Sequence, residues 1–333
     1  MTSFLRSLTP TQQVAALFLT VFGVLVIVSV AAFLMTLRRM QGGREDPHAA
    51  AQDEELRDFR RLLSVSWAMV VIFWLAWATG ETMATLLFAL ISFFSLREFI
   101  TLSPTRRGDH RSLVLAFFVV LPVQFWLVAT EHFDLFTVFI PVYVFLAIPV
   151  ASALKGDTQR FLERNAKLQW GIMVCIYGMS HVPALLLLDF PHAHYEGKGA
   201  FLVFFLVMVV QACMVVQHVA TRRLKRPPSV PGLSQSFNWR TWGMGVAAGG
   251  LVGGILTFIT PFKPAQALAM ALVACVAGSM GHLVMKALKR DRGVTRWGQR
   301  VSVTGANGLL DRVDALCFAA PIFFHSARWY FGA

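Results

Sequence analysis

The chain is dominated by long apolar runs separated by short polar segments, a pattern that recurs from residue 14 almost to the last position. A helix needs roughly 20 mostly apolar residues to cross the hydrocarbon core of a bilayer. Ten runs have about that length: 14–37, 62–79, 82–101, 112–129, 134–153, 169–189, 199–221, 241–261, 264–286 and 313–330. The pattern therefore predicts an all-α fold, a polytopic integral membrane protein with about ten transmembrane helices.

The polar segments between these spans alternate in charge. Of the 30 lysines and arginines, 26 lie in five segments that follow every second span: 38–61, 97–111, 155–167, 222–240 and 286–312. The remaining four are Arg6, Lys198, Lys263 and Arg328. Because cytoplasmic loops of membrane proteins carry an excess of Lys and Arg, this distribution predicts five cytoplasmic loops and both termini outside.

Composition supports a membrane protein and excludes a soluble or disordered one. Hydrophobic residues make up 56% of the chain and charged residues 14%, with a mean hydropathy of +0.61. A net charge of +12 would suggest a nucleic-acid partner in a soluble protein, but here the cytoplasmic loops account for it, so we expect no nucleic acid. The four cysteines lie inside apolar runs, which favours neither a disulfide framework nor a metal site.

The pattern divides the chain into three parts. Residues 1–111 hold N-terminal spans with a cytoplasmic linker, residues 112–198 hold central spans, and residues 199–333 hold a C-terminal membrane region. The predicted outward turns are short and leave little room for an external site. We therefore expect the functional site on the cytoplasmic face, in the basic segments of the C-terminal region.

Span 241–261 is expected to pack closely against a neighbour. It contains glycines at four-residue steps, at Gly245, Gly249 and Gly253. Small residues let transmembrane helices approach where lipid provides no hydrophobic drive, and span 264–286 is also rich in small residues. If these two spans meet, the loops 222–240 and 286–312 leave the membrane side by side and form one cytoplasmic pocket.

Three histidines lie within or near the ends of spans, where polar groups are functional candidates. His181 precedes Val182-Pro183, and we interpret its ring as the partner of a carbonyl freed by the proline. His218 and His282 lie near cytoplasmic ends of their spans. They are either interfacial histidines or ligands of a shared site, and the pattern leaves both readings open.

The start of the last span carries two carboxylates. Asp311 and Asp314 are three residues apart and would face the same side of a helix that begins there. Carboxylates in that arrangement are suitable ligands for Mg²⁺. In the alternative, which spacing alone favours, Asp311 caps the helix and pairs with a nearby base.

Basic residues and glycines accompany these carboxylates. Lys289, Arg290 and Arg312 would neutralise phosphate groups, and the turn from Gly305 to Gly308 would let a ligand approach the backbone closely. In the alternative, the basic residues only fix the orientation of the chain in the membrane.

This C-terminal stretch resembles the signature of the phosphatidate cytidylyltransferase (CDP-diacylglycerol synthase) family. That signature runs Gly-Asp-Leu, then Ser-x-x-Lys-Arg, four residues and Lys-Asp, and after a gap Pro-Gly-His-Gly-Gly-x-x-Asp-Arg-x-Asp. The positions in register are Gly281, Leu283, Lys289, Arg290, Gly305, Gly308, Asp311, Arg312 and Asp314. The span count, the topology and Leu96-Arg97-Glu98-Phe99 after the third span also look like the family, in particular its longer bacterial branch.

The chain departs from this pattern at several positions. His282 stands where the family has aspartate, Lys286 where it has serine, and Thr295-Arg296 where it has Lys-Asp. Thr304-Gly305-Ala306-Asn307-Gly308 replaces Pro-Gly-His-Gly-Gly. Upstream, Val216-Gln217-His218 stands where the family has an acidic residue, and only Ser236 and Gly243 match its Ser-Pro-x-Lys-Thr-x-Glu-Gly stretch.

The resemblance implies a membrane enzyme that condenses CTP with phosphatidate to give CDP-diacylglycerol and pyrophosphate. It implies Mg²⁺ as the cofactor, a homodimer, and a bacterial inner membrane with the site on the cytoplasmic face. Asp311 and Asp314 would bind the metal and act in catalysis together with Lys289. The residues expected to contact substrate are Arg290, Arg312, Gly305, Gly308, His282 and His218.

The departures from the signature leave a second function open. In this alternative the fold is kept without catalysis, and a basic cytoplasmic pocket binds an anionic lipid as a partner or regulator of lipid-synthesis enzymes. A transporter is a third and weaker interpretation, because the sequence shows neither an inverted repeat nor a charge at the middle of a span.

Overall fold

The computed structural model describes residues 10–41, 60, 63–64, 66–68, 70–72, 74–102, 106–188, 199–224, 226–234, 236–294, 297 and 308–331. The chain separates into two compact units, Met1–Ala78 and Thr79–Ala333.

The first unit consists, in its described part, of helix α1, Pro10–Gln41, and helical residues between 60 and 78. The Trp67 indole donates a hydrogen bond of 2.9 Å to the Ser29 hydroxyl, which in turn donates to the Leu25 carbonyl. The Trp67 ring also meets the edge of Phe22, with ring centroids 5.0 Å apart. An aromatic contact and a satisfied polar pair therefore join the two predicted N-terminal spans.

The second unit is an assembly of helices. They are α2 Glu81–Thr101, α3 His110–Ala129, α4 Phe133–Ala153, α5 161–186, α6 Gly199–Leu224, α7 Trp239–Ile259, α8 Pro264–Asp291 and α9 Leu310–Phe331. Among the described residues there is no strand, and the β-pairing is an isolated bridge between Val230 and Ser234. The all-α prediction is confirmed for this part of the chain.

Six helices of the described chain are long and apolar enough to cross a membrane: α2, α3, α4, α6, α7 and α8. They correspond to six of the predicted spans and indicate a membrane protein. Helices α5 and α9 cover the predicted spans near 169–189 and 313–330. That these two and the N-terminal helices also cross, and that both termini lie outside, stay predictions.

Helices α3, α4 and α5 change from α to π geometry over Ala116–Val120, Phe139–Val144 and Ile172–Gly178. Prolines lie within or shortly after these widened turns, at Pro122, Pro141 and Pro183. A proline provides no N–H for the helical ladder, so each of these helices lacks one backbone hydrogen bond near its widened turn.

The interior beside these turns contains a polar cluster. His181 is fully buried, and its Nδ1 lies 2.6 Å from the Tyr177 carbonyl, which also accepts a bond from the Ser180 hydroxyl. The Tyr177 hydroxyl lies 2.9 Å from Nε2 of His325. The ring does bind a backbone carbonyl, but the interpretation is wrong about which one. The proline at 183 frees the carbonyl of residue 179, whereas His181 binds that of Tyr177.

The predicted packing of α7 against α8 is confirmed. An ideal Cβ on Gly249 would lie 2.2 Å from the Cys275 Sγ, and one on Gly253 would lie 2.3 Å from the Ala271 Cβ. Only a residue without a side chain allows this approach. The close contact sets α8 in place, and α8 carries half of the candidate site.

An ion-pair cluster joins the two connections that precede α3 and α5. The guanidinium of Arg164, with 5% of its side chain exposed, lies 3.0 Å from Asp109 and 2.5 Å from Asp157. Hydrogen bonding to this guanidinium lowers the pKa of the Asp157 carboxyl. One of the predicted cytoplasmic arginines is thus held between two carboxylates and has a structural role besides topology.

Candidate functional site

The candidate site is formed where the last turns of α8 face the first turns of α9. Asp311 and Asp314 lie three residues apart on one face of α9, as their spacing predicts. His282 and Lys289 lie seven residues apart on α8, which is two helical turns and again one face. The helices run in opposite directions, so Asp311 meets Lys289 and Asp314 meets His282.

Asp311 and Lys289 form a buried ion pair. Lys289 Nζ donates to Asp311 Oδ1 at 2.5 Å, and each side chain is 8% exposed. The second oxygen, Oδ2, accepts the backbone N–H of Trp297 at 3.1 Å. The sequence-based alternative is that Asp311 caps the helix and pairs with a nearby base. The pairing is confirmed by this contact, and the cap stays a prediction.

Asp314 pairs with His282. The distance between His282 Nδ1 and Asp314 Oδ2 is 2.7 Å, and the exposed fractions of the side chains are 24% for His282 and 5% for Asp314. The other Asp314 oxygen accepts the backbone N–H of Ala315. The residue that stands in place of the family's aspartate therefore binds directly to the last aspartate of the signature.

Glycines bring the two helices close enough for these pairs. A Cβ on Gly281 would lie 2.2 Å from the Phe318 side chain, and one on Gly278 would lie 3.2 Å from the Ala315 carbonyl oxygen. Gly281 is one of the signature positions in register. Its part in this structure is close packing of α8 on α9, next to the His282 pair.

Glu98, at the end of α2, binds the start of α9. Its Oε1 accepts the Leu309 N–H at 2.9 Å and its Oε2 accepts the Leu310 N–H at 2.8 Å. Only 2% of Glu98 is exposed. The first amides of a helix have no partner within the helix, and here a carboxylate from a distant segment satisfies them.

Sequence reasoning missed this role of Glu98. The sequence pattern shows only that this segment is like the family's, and it explains the nearby arginines by topology. A signal was nevertheless present, because Glu98 is an acidic residue at the end of an apolar span, where a buried carboxylate requires a specific partner.

Arg290 and Lys286 connect α8 to the loop before α7. Nη1 of Arg290 donates to the carbonyls of Gly232 at 2.5 Å and Pro231 at 3.2 Å, and Lys286 Nζ lies 3.5 Å from the Ser236 hydroxyl. These contacts confirm that the segments 222–240 and 286–312 meet, and the pocket expected between them stays a prediction. Arg290 supports the loop in this structure, and its contact with substrate stays a prediction.

The other predicted site residues lie around these pairs. Arg312 lies on α9 between the aspartates, and its side chain makes no hydrogen bond or ion pair with the described part of the chain. His218, on α6, is partly buried and within electrostatic range of Lys286. Gly308 has a φ of +67°, a conformation that favours glycine. Gly305 lies outside the described residues, and so do Thr295, Arg296 and the rest of the segment 304–307.

The described residues do not fit a magnesium ion held by the protein alone. They contain no group of three or more His, Cys, Asp or Glu side chains that could hold a metal. Each carboxylate oxygen of Asp311 and Asp314 already accepts a hydrogen bond, and an ammonium and an imidazole lie against them. Mg²⁺ prefers oxygen ligands in near-octahedral geometry, which this set does not provide.

In its described part, the chain is an all-helical membrane protein with two buried polar pairs between the end of α8 and the start of α9. The model of the cytidylyltransferase family matches residues 59–330. The chain is also 32% identical over 273 residues to YnbB of Escherichia coli (strain K12), an uncharacterized protein, over 79% of this chain and 85% of that protein. The chain belongs to the cytidylyltransferase family.

Proposed function

We propose that the protein transfers a cytidylyl group from CTP to phosphatidate, giving CDP-diacylglycerol and pyrophosphate, at the cytoplasmic face of a bacterial inner membrane. Family membership supports a transferase that uses CTP. The observation that carries the proposal is the facing pair of buried contacts, Lys289 with Asp311 and His282 with Asp314, at the ends of apolar helices. A site in that position can receive a lipid head group and a soluble nucleotide together.

The reaction needs positioning and charge neutralisation more than covalent help from the protein. A phosphate oxygen of phosphatidate forms a bond to the α-phosphorus of CTP, and the bond from that phosphorus to the β-phosphate oxygen breaks. Pyrophosphate leaves with the electron pair. Negative charge accumulates at the reacting phosphates, and fixed cations in a partly buried site stabilise it most strongly.

In this proposal, Arg312 is the cation that contacts these phosphates. Its guanidinium extends from the turn between Asp311 and Asp314 and makes no hydrogen bond or ion pair within the described residues. A guanidinium presents donors in a fork that matches two phosphate oxygens. Gly308, just before α9, has a φ of +67°, so glycine is favoured at the turn that leads into Arg312.

Asp311 and Lys289 hold each other in a fixed geometry, and this rigidity is their contribution in the proposed reaction. Lys289 Nζ has further donors besides the one used on Asp311, and in this proposal they bind a substrate phosphate. Mg²⁺ is, in this proposal, the companion of the nucleotide phosphates and not a resident ion of the protein. A homodimer stays a prediction.

The proposal is tested with the purified protein in mixed micelles that contain phosphatidate, CTP and Mg²⁺. We expect formation of CDP-diacylglycerol, and a loss of at least about a hundredfold in kcat for Asp311→Asn, because the neutral amide no longer holds Lys289. The matched control is Asp291→Asn, the same change on a carboxylate that is 66% exposed at the end of α8. Wild-type turnover by Asp311→Asn protein would remove the proposed role of this carboxylate.

One observation favours a second candidate, a lipid-binding protein without catalysis. Both oxygens of each signature aspartate already have hydrogen-bond partners, Lys289 and His282 among them, so no carboxylate oxygen is left over for a metal. A basic pocket at the cytoplasmic side suits an anionic head group. In this case folded protein shows no turnover but retains an anionic lipid through purification, and Lys289→Ala or Arg312→Ala releases that lipid.

A further inference from the structure

The last turn of α2 contacts both described ends of the connection between α8 and α9. Glu98 binds the amides of Leu309 and Leu310, at the start of α9. The next residue, Phe99, stacks on Trp297, with ring centroids 5.5 Å apart and an angle of 28° between the ring planes. Two consecutive side chains of one helix thus hold two separate points of that connection.

The Glu98 carboxylate fills a place that a substrate anion would otherwise use. The start of a helix offers unpaired amides and the positive end of the helix dipole, which makes it an anion-binding position. At α9 both of these amides are taken by Glu98, which is 2% exposed. These two amides are therefore not available to a substrate phosphate, and the role left to Glu98 is to fix the helix.

Fixing Leu309 and Leu310 also fixes the direction of the aspartates. Each residue of an α-helix is rotated by roughly 100° from the one before it, so a slip of one residue at the start of α9 would turn Asp311 away from Lys289. Trp297 adds a second restraint, because its backbone N–H donates to Asp311 Oδ2 at 3.1 Å while its ring is held by Phe99.

We propose that Glu98 and Phe99 are positioning residues of the candidate site: Glu98 sets the rotation of α9, and Phe99 holds Trp297 against Asp311. Glu98 acts through backbone amides, and Phe99 acts through a tryptophan. The catalytic consequence of this inference rests on the proposed function, whereas the structural consequence can be measured without turnover.

The first test is Glu98→Gln in the full-length protein. Glutamine has the same size but only one acceptor oxygen, so one of the two amides faces an NH₂ group. We expect kcat to fall by about tenfold to a hundredfold, with KM for CTP and phosphatidate changing less than about threefold. Glu81→Gln, the same change at an exposed residue in the first turn of α2, is the control and keeps wild-type kinetics.

A merely structural role of Glu98 predicts a different result. It would lower the midpoint of thermal unfolding and the active fraction, without separating kcat from KM in the folded protein. If the activity of Glu98→Gln falls only in proportion to the folded fraction of each preparation, the positioning role is overturned.

Hydrogen–deuterium exchange provides a readout that does not depend on turnover. In Glu98→Gln we expect peptides covering residues 308–316 to exchange about tenfold faster, because an amide at the start of α9 has lost its partner. If the wild-type protein forms no CDP-diacylglycerol, the proposed function fails. The hydrogen-exchange rates then decide by themselves whether Glu98 holds the start of α9 in place. Unchanged exchange, or faster exchange with full turnover, contradicts the proposal.

A second variant reaches Phe99 without touching Glu98. A Cβ on Gly171, in α5, would lie 2.8 Å from Cδ1 of Phe99. Gly171→Ala therefore displaces the Phe99 ring from its present position, and Phe99→Leu removes the stacking directly. We expect both to lower kcat in the same direction as Glu98→Gln but less strongly. Wild-type kcat in both variants would exclude Phe99 from the positioning role, even if Glu98 variants fail to fold.

Discussion

At the scale of single residues, His282 and Asp314 form a contact whose contribution to stability depends on how deeply the Asp314 carboxylate is buried. Asp314 has 5% of its side chain exposed, and an unpaired carboxylate at such a position is strongly destabilising. His282 provides the partner at 2.7 Å. Removing one member of a buried pair costs more than removing both, because the remaining charge is left without compensation.

We therefore predict that His282→Leu lowers the free energy of unfolding by about 3 kcal/mol, since Asp314 stays buried without its imidazole. The double variant His282→Leu/Asp314→Leu is expected to recover a large part of this loss. The measurement is the unfolding midpoint of the four proteins of the double-mutant cycle in one detergent. Strictly additive effects would show that the two side chains do not stabilise each other.

At the scale of helices, α7 approaches α8 through glycines on one of its faces. An added Cβ at Gly249 would meet Cys275 Sγ at 2.2 Å and the Val209 carbonyl oxygen at 3.0 Å, so α6 is also part of this contact. Gly254, on the same helix, has nothing within 4 Å of its ideal Cβ. Alanine is the better helix former at both positions, but only at Gly249 would its methyl group clash with a neighbour. Comparing Gly249→Ala with Gly254→Ala therefore measures the packing requirement apart from helix propensity.

The expected result is a loss of about 1–3 kcal/mol in stability for Gly249→Ala, because overpacking forces the helices apart. Gly254→Ala serves as the control and should be neutral or stabilising by up to about 1 kcal/mol. Adding Cys275→Ala to Gly249→Ala removes the nearest atom and should restore part of the loss. Equal effects at both glycines, measured by thermal unfolding in detergent, would argue against close packing at Gly249.

At the scale of the whole molecule, the apolar pattern predicts much of the helical architecture, because length and hydropathy are local properties of each span. The spacing of Asp311 and Asp314 likewise predicts that they share a face. The clamp by Glu98 is not predictable in this way, because it joins residues 211 positions apart. His282 similarly has no assigned partner until α8 and α9 are packed, and only the tertiary structure identifies it as Asp314.

Topology is the remaining prediction at this scale, and helix α4 provides a sharp test of it. His132 lies in the exposed turn before α4 and Thr158 in the exposed connection after it. If α4, Phe133–Ala153, crosses the membrane and the basic segment 155–167 is cytoplasmic, His132→Cys should react with an impermeant maleimide added to intact cells. Thr158→Cys should react only after the cells are opened.

The native cysteines need not be replaced for this labelling experiment. All four of them are buried free thiols: Cys175, Cys213, Cys275 and Cys317. The unmodified protein is the control and should remain unlabelled in folded form. Labelling of both introduced cysteines from the same side would mean that α4 does not cross. Labelling of Thr158→Cys alone in intact cells would mean that the orientation is the reverse of the predicted one. The candidate site at the ends of α8 and α9 would then lie on the side of the membrane without CTP. That result would therefore contradict both the orientation and the proposed function.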